Sequence, residues 1–141
     1  SDDDHDRFYV PSNIYIIGTM NTADRSLALV DYALRRRFSF VTLNPEYGDN
    51  FRSFLKEKKL SDSLIDHICL SVTKVNEKII DDPNLGNSFQ IGHSYFCAFN
   101  EGDDEDKWWS EILTFELQPL LEEIWFDDKG IVDSVMSILK R

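Results

Sequence analysis

Residues 13–26 read NIYIIGTMNTADRS, an apolar run that gives way to polar residues at Gly18. The β-branched and aromatic content of residues 13–17 predicts a buried strand of a parallel sheet. Ligands of open α/β sheets lie outside the carboxyl ends of the strands. We therefore expect Thr19, Asn21, Thr22 and Asp24 at the edge of the sheet where chemistry takes place.

Asn21 is the strongest candidate in this polar segment. Its amide can both donate and accept a hydrogen bond, which suits orienting a water molecule or contacting a phosphate oxygen without adding charge. The alternative is a structural role, in which the amide closes the strand in an Asx-turn. The residues alone leave both roles open.

A basic cluster follows this segment. Ser26 is placed to cap a helix of about ten residues, and the helix ends at Arg35, Arg36 and Arg37. One cation there would complement the helix dipole, whereas three in a row favour a site that meets an anion. Residues 38–43, FSFVTL, predict a second strand. The first part is therefore predicted to be two strands and a connecting helix of an α/β sheet.

The second part of the chain has a helical pattern and begins after the turn sequence NPEYG at residues 44–48. Apolar spacing predicts helices over residues 49–58, 61–80, 108–125 and 131–139, with a break near Leu117 caused by Pro119. His67 falls outside the apolar stripe of its helix and is expected to be solvated. The predicted organisation is an α/β part over residues 1–47 and an all-α part over residues 48–141, with helix predominating.

A second informative segment is FQIGHSYF, residues 89–96. It places His93 and two hydroxyl groups beside Gly92, which permits close approach of the backbone. His93 could contact a ligand, or it could be a hydrogen-bonded histidine in a packed connector. The residues do not decide between the two.

Three segments together resemble the McrB-type AAA+ GTPases, the motor subunits of 5-methylcytosine-specific restriction systems. They are GTMNTADRS with ALRRRF (residues 18–26 and 33–38), IGHSYF (residues 91–96) and ELQPLLEE (residues 116–123). The first resembles the nucleotide-hydrolysis part of the family, and the other two resemble its lid. The resemblance implies part of a P-loop NTPase sheet followed by a helical AAA+ lid.

The resemblance also implies roles for named residues. Asn21 would occupy the sensor-1 position beside the attacking water, and Asp24 would belong to the loop associated with guanine nucleotide hydrolysis. Arg36 and Arg37 would be arginine-finger candidates offered to the nucleotide of a neighbouring subunit. The implied nucleotide-binding residues are Thr22, Arg25, Arg35 and His93, with His93 standing in for the sensor-2 arginine.

The cofactors and partners that the resemblance implies belong to a larger assembly. GTP and Mg²⁺ would bind the complete module, but the 141 residues contain no Gly-x-x-x-x-Gly-Lys-Ser/Thr loop and no strand ending in Asp-Glu. We expect those parts upstream and no cofactor bound to this stretch alone. The implied partners are identical subunits in a ring, usually hexameric, an McrC-like nuclease subunit, and DNA held by a separate amino-terminal domain. Hydrolysis would drive DNA translocation.

Composition restricts the remaining possibilities. A net charge of -11 argues against a dedicated DNA-binding surface. Cys69 and Cys97 lack metal-ligand spacing, which predicts no metal site and a reducing compartment. No apolar run approaches the length of about 20 residues that spans a bilayer, so we expect a cytoplasmic protein without membrane contact. Two alternatives remain open: an ATP-dependent remodelling module of the MoxR type, and a non-enzymatic interaction domain.

Overall fold

The computed structural model of the protein describes residues 10–20 and 32–141, and these residues are helical wherever they are regular. Two 3₁₀ turns, Asn87–Phe89 and His93–Phe96, lie between the third and fourth helices, and a π-turn, Leu113–Leu117, joins the fourth to the fifth. The α-helices are α1 (Tyr32–Arg35), α2 (Asp49–Glu57), α3 (Asp62–Asp81), α4 (Glu105–Ile112), α5 (Gln118–Ile124) and α6 (Lys129–Leu139).

The prediction of a two-stranded partial sheet is wrong for the described residues. Residues 13–17 and 38–43 contain no strand, and their apolar side chains face solvent, with Ile17 93% and Leu43 89% exposed. A strand needs a neighbouring strand to receive its backbone hydrogen bonds, and neither segment is paired in this way within residues 10–20 and 32–141. The all-α character predicted for the second part is confirmed.

The core is built around α3, the longest helix. Its apolar stripe at spacings of three and four residues packs against α2 and α6. Trp109, Phe96 and Leu121 extend the core from the neighbouring segments. The buried residues of α3 are Leu64, Ile65, Ile68, Cys69, Ser71, Val72, Val75, Asn76 and Ile79.

The start of α3 is fixed by a capping interaction that reaches α4. The Ser61 hydroxyl accepts a hydrogen bond from the backbone N–H of Leu64 (3.4 Å), as expected of an N-cap residue. The same hydroxyl and the backbone N–H of Ser61 each donate to the carboxylate of Glu105 at 2.6 Å. Glu105 is the first residue of α4, so one carboxylate holds the amino-terminal ends of the two helices together.

The break predicted near Leu117 is confirmed as the π-turn between α4 and α5. Pro119 has no backbone N–H, and its ring would clash with a carbonyl group one turn earlier in a regular helix. A π-turn inserts an extra residue and relieves this conflict. Leu113 and Leu117 remain buried on one side of the turn, while Phe115 on the other side is 73% exposed.

The end of α6 is held by two aromatic side chains. The backbone carbonyl of Leu139 accepts hydrogen bonds from Nε2–H of His67 (2.9 Å) and from Nε1–H of Trp109 (3.2 Å). The two rings meet edge to face, with centroids 5.7 Å apart. The expectation that His67 is solvated is therefore wrong: the side chain is half-buried and satisfies a carbonyl that the helix end leaves without an intrahelical partner.

The contact between Asp82 and Trp125 is expected to make the stability of the fold depend on pH. Nε1–H of Trp125 donates to Asp82 Oδ2, and the backbone N–H of Asn84 donates to Asp82 Oδ1, both at 2.8 Å. Both bonds lower the pKa of Asp82 below its usual value, and the bond from Trp125 has the larger effect. The stabilisation is complete above the unfolded-state pKa of about 3.9 and is lost as the pH falls through the lower native pKa.

We therefore expect Asp82→Asn to lower the melting temperature at about pH 7, and the difference from the unsubstituted chain to shrink below about pH 4. Asp81→Asn, which removes the neighbouring exposed carboxylate, is the matched control. Thermal unfolding followed by tryptophan fluorescence across this pH range measures the effect. A difference that stays constant down to about pH 2 would contradict the assignment.

Candidate functional site

A cleft of about 330 Å³ lies where the segment before α2 meets the segment between α3 and α4. Its lining includes His93, the histidine for which the family resemblance implies a nucleotide contact. One wall comes from Met20 and the residues that precede α2, and the other comes from the two 3₁₀ turns and the residues between them. The lining residues are Met20, Thr42, Leu43, Asn44, Pro45, Asn87, Ser88, Gln90, Gly92, His93 and Ser94.

The polar side chains that line this cleft are neutral amides, hydroxyls and one imidazole. Among the described residues, no Asp, Glu, Lys or Arg contributes to the lining. Such groups both donate and accept hydrogen bonds without adding a fixed charge. The cleft can therefore recognise a ligand edge that carries neutral donors and acceptors, and it offers no ion pair to a polyphosphate.

His93 begins the second 3₁₀ turn and is exposed to solvent. The backbone N–H of Glu46 donates to Nδ1 of His93 at 3.4 Å. Because Nδ1 is the acceptor in this bond, the neutral ring carries its proton on Nε2. The ring of Phe51 lies 6.0 Å away, centroid to centroid. His93 is thus held as a single hydrogen-bond donor at the edge of the cleft.

Ile91, two residues before His93, is fixed by both of its backbone polar groups. Nδ2–H of Asn76 donates to the Ile91 carbonyl (3.0 Å), and the Ile91 N–H donates to Asn76 Oδ1 (2.7 Å). The Tyr47 hydroxyl donates to the same carbonyl at 2.8 Å. Asn76 is 5% exposed and Ile91 is fully buried, so these bonds satisfy groups that water cannot reach.

Tyr47 joins the segment immediately before α2, residues 42–48 (the connector), to this buried network. Burial raises the pKa of Tyr47 well above its usual value, so the hydroxyl remains a donor at neutral pH. Its ring meets Phe51 edge to face, with centroids 5.4 Å apart, and lies 6.2 Å from Phe96. The connector therefore packs on the helical core through Tyr47.

The arginine cluster lies apart from the cleft lining. Arg35 ends α1, and Arg36 and Arg37 follow in a turn, with all three side chains exposed. The guanidinium of Arg35 lies 5.9 Å from the centroid of the Phe40 ring, within the range of a cation–π contact. The structure therefore does not bring these arginines together with His93 in one cleft of the chain.

The other predicted site residues, Asn21, Thr22, Asp24 and Arg25, lie outside the residues that the structure describes. Their predicted roles stay predictions. Within residues 10–20 and 32–141, no three His, Cys, Asp or Glu side chains are grouped so that they could hold a metal ion. In the same ranges, no helix combines the length and apolar character needed to cross a bilayer.

A second cleft, of about 470 Å³, lies between α2 and the start of α3. It is lined by Ser53 and five charged residues, four of which form two ion pairs. Arg52 forms an ion pair with Asp66, and Lys56 Nζ lies 2.9 Å from Asp62 Oδ1. Because both cations of the lining are paired with carboxylates of α3, the second cleft has the character of an interhelical salt-bridge surface.

The sequence pattern does not identify Tyr47 and Asn76 as site residues. Tyr47 lies in a turn sequence, where the pattern indicates only a boundary between two secondary-structure elements. Asn76 did carry a signal, because it falls on the buried stripe of α3 beside Val75 and Ile79. A polar residue at a buried helix position requires a hydrogen-bonding partner, although the sequence does not identify that partner as Ile91.

Comparison with known proteins gives two findings. The family model of the McrB alpha-helical lid domain matches residues 67–133, which run from α3 into α6 and include Asn76, Ile91 and His93. The type IV methyl-directed restriction enzyme EcoKMcrB subunit of Escherichia coli (strain K12) is 50% identical over 132 residues. That alignment covers 91% of this chain and 29% of the relative, so the chain spans less than a third of the relative's length.

Proposed function

We propose that this McrB-like chain, whose residues 67–133 match the McrB α-helical lid, is the lid-bearing part of a GTPase. GTP hydrolysis by this GTPase powers DNA translocation in the modification-dependent restriction of methylcytosine DNA. The observation that carries the proposal is the 50% identity, over nearly the whole chain, to a subunit of a methyl-directed restriction enzyme.

The cleft beside His93 is the part of the described structure that we assign to nucleotide contact. Its neutral amides and hydroxyls suit the uncharged base or ribose of a guanine nucleotide. Nε2–H of His93 can donate one hydrogen bond to an acceptor atom of that nucleotide. GTP and Mg²⁺ need cationic and carboxylate ligands for the phosphates and the metal, and these belong to the phosphate loop and acidic strand end that we expect upstream.

The hydrolytic residues of the proposal precede the helical part. Asn21 orients the attacking water, Asp24 belongs to the same loop, and Thr22 and Arg25 contact the nucleotide. Arg36 and Arg37 meet the nucleotide bound by a neighbouring subunit, and Arg35 supports binding. The exposure of the arginines, away from the chain's own cleft lining, agrees with action on another subunit.

The proposed assembly is a ring of identical subunits, six in number, that acts with an McrC-like nuclease subunit. DNA is bound through a separate amino-terminal domain, since a chain of net charge -11 is poorly suited to hold phosphates itself. The relative's description as a subunit of a restriction enzyme supports a multi-subunit assembly. Below, the native protein that contains these residues together with its phosphate loop is called the complete module.

The nucleotide preference of the complete module can be measured directly. We expect the complete module to hydrolyse GTP about 10²-fold or more faster than ATP, because a site that hydrogen-bonds one base leaves polar groups unpaired with the other. Phosphate release with each nucleotide measures the ratio, and Asn21→Ala in the same module serves as the inactive control.

Two other results would replace the proposal. A preference for ATP would favour an ATP-dependent remodelling module of the MoxR type. No hydrolysis of either nucleotide, with a folded protein and the nuclease partner present, would favour a non-enzymatic interaction domain.

A further inference from the structure

The three hydrogen bonds at Ile91 join separate parts of the chain at one residue. Asn76 comes from the carboxyl-terminal half of α3, Tyr47 comes from the connector before α2, and Ile91 belongs to the segment that lines the cleft. The Ile91 carbonyl accepts hydrogen bonds from both Asn76 and Tyr47, and the Ile91 N–H donates a hydrogen bond to Asn76. Ile91 is therefore held from two directions in the protein interior.

We propose that Tyr47 and Asn76 are positioning residues for His93. They hold Ile91 and the connector together and so fix the orientation of the His93 ring. In this orientation Nδ1 accepts a hydrogen bond from the backbone N–H of Glu46, and Nε2–H is the single donor that the ring offers to a ligand. The identity of that ligand, a guanine nucleotide, rests on the proposed function. The orientation and tautomer of the ring do not.

Chain geometry explains how Ile91 controls His93. The Cα atoms of Ile91 and His93 are two positions apart in the chain and therefore at most about 7 Å apart, so fixing Ile91 limits where the His93 backbone can lie. On the other side of the same contact, Tyr47 directly follows Glu46, whose N–H meets Nδ1 of His93. The Tyr47 hydroxyl thus holds both partners of the Glu46–His93 bond in register.

Aromatic packing supplies a second route from Tyr47 to the His93 ring. Tyr47 meets Phe51 edge to face at 5.4 Å, and Phe51 lies 6.0 Å from His93. Tyr47→Phe keeps this aromatic route and removes only the hydroxyl. The variant therefore isolates the hydrogen bond to Ile91 from the packing.

The tautomer of His93 can be measured in the 141-residue chain itself. Long-range ¹H–¹⁵N NMR at about pH 8, above the ordinary imidazole pKa of about 6.5, reports which nitrogen of His93 is protonated. We expect the Nε2–H form in the unsubstituted chain and a mixture of both forms in Tyr47→Phe, with a larger shift in Asn76→Ala.

Tyr95→Phe is the matched control, because it removes a tyrosine hydroxyl two positions from His93 in the sequence and leaves the Ile91 bonds in place. Circular dichroism checks whether each variant is folded. If Asn76→Ala does not fold, Tyr47→Phe alone carries the test. The Nδ1–H form in the unsubstituted chain, or an unchanged tautomer in Tyr47→Phe, would overturn the positioning role.

A kinetic experiment with the complete module tests the consequence for the ligand. Losing one neutral hydrogen bond corresponds to a factor of about 2 to 10, so we expect His93→Ala to raise KM for GTP by that factor and Tyr47→Phe to raise it by less. If Tyr47 acts through His93, adding Tyr47→Phe to His93→Ala changes KM no further.

The outcomes of this experiment separate the two proposals. Multiplied effects in the double variant would overturn the positioning role while leaving the GTPase proposal intact. Absence of GTP hydrolysis in the unsubstituted module would overturn the GTPase proposal, and the NMR result on His93 would still decide whether Tyr47 and Asn76 set its tautomer.

Discussion

GTP hydrolysis by the complete module is expected to fall by about 10³-fold or more when Arg36 and Arg37 are both replaced by alanine. A guanidinium group fixed beside the terminal phosphate stabilises charge that develops in the transition state, and one supplied by a neighbouring subunit contributes a factor of about 10³ to 10⁵. Both arginines are exposed immediately after α1 and do not line the chain's own cleft. Phosphate release under saturating GTP measures the loss.

Mixing two inactive variants tests whether the arginines act between subunits. Subunits with Arg36→Ala and Arg37→Ala keep Asn21, whereas subunits with Asn21→Ala keep the arginines. In a mixed ring, some sites combine an intact Asn21 with intact arginines from the neighbour, so activity is expected to return in part. If the mixture stays as inactive as its components, and mixed rings are seen to form, action in trans is excluded.

A matched control for the arginine variant is Arg52→Ala. This substitution also removes an arginine, but Arg52 is half-buried and pairs with Asp66 between α2 and α3. An exposed ion pair contributes little to stability, so hydrolysis is expected to remain within about twofold of normal. A similar loss in both variants would mean that the arginine cluster acts through general charge or folding rather than at the phosphate.

The helical part of the fold could be predicted because its helices carry their own periodic signal. The apolar stripe and capping residues locate α2, α3 and α6 within about two residues of their observed bounds, and Pro119 marks the π-turn. Hydrogen bonds inside an α-helix are local in sequence. Such elements can be predicted without knowing what packs against them.

The predicted strands fail for the opposite reason. Residues 13–17 and 38–43 have β-branched and aromatic residues, but strand formation depends on a partner strand that the pattern does not supply. In the part of the chain that the structure describes, these segments are irregular and exposed. A propensity for strand is therefore weaker evidence than a helical stripe with its caps.

Candidate site residues show the same division between local and distant information. His93 could be singled out because Gly92 and two hydroxyls adjoin it in the sequence. The sequence pattern wrongly places His67 in solvent because its partner, the Leu139 carbonyl, lies 72 residues away. Tyr47 and Asn76 likewise meet at Ile91 from positions 44 and 15 residues distant, and no local pattern joins them.

Asn76→Ala is expected to lower the free energy of unfolding of the chain by about 2 to 4 kcal/mol. The substitution leaves the buried Ile91 N–H without a partner, which costs about 1 to 3 kcal/mol, and it also removes packing atoms from the core. The Ile91 carbonyl keeps its bond from Tyr47, so the lost N–H partner dominates the cost. Urea unfolding followed by tryptophan fluorescence measures the change.

Two further variants separate this loss from ordinary substitution effects. Thr73→Ala lies on the exposed face of α3 and is expected to change stability by no more than about 0.5 kcal/mol. Tyr47→Phe removes one of two bonds to the Ile91 carbonyl and is expected to cost about 1 kcal/mol. If Asn76→Ala costs no more than Thr73→Ala, the Asn76–Ile91 bonds do not hold the cleft-lining segment to α3. A loss of stability that decreases in the order Asn76→Ala, Tyr47→Phe, Thr73→Ala would instead show that the cleft-lining segment is attached to the helical core through the backbone of Ile91.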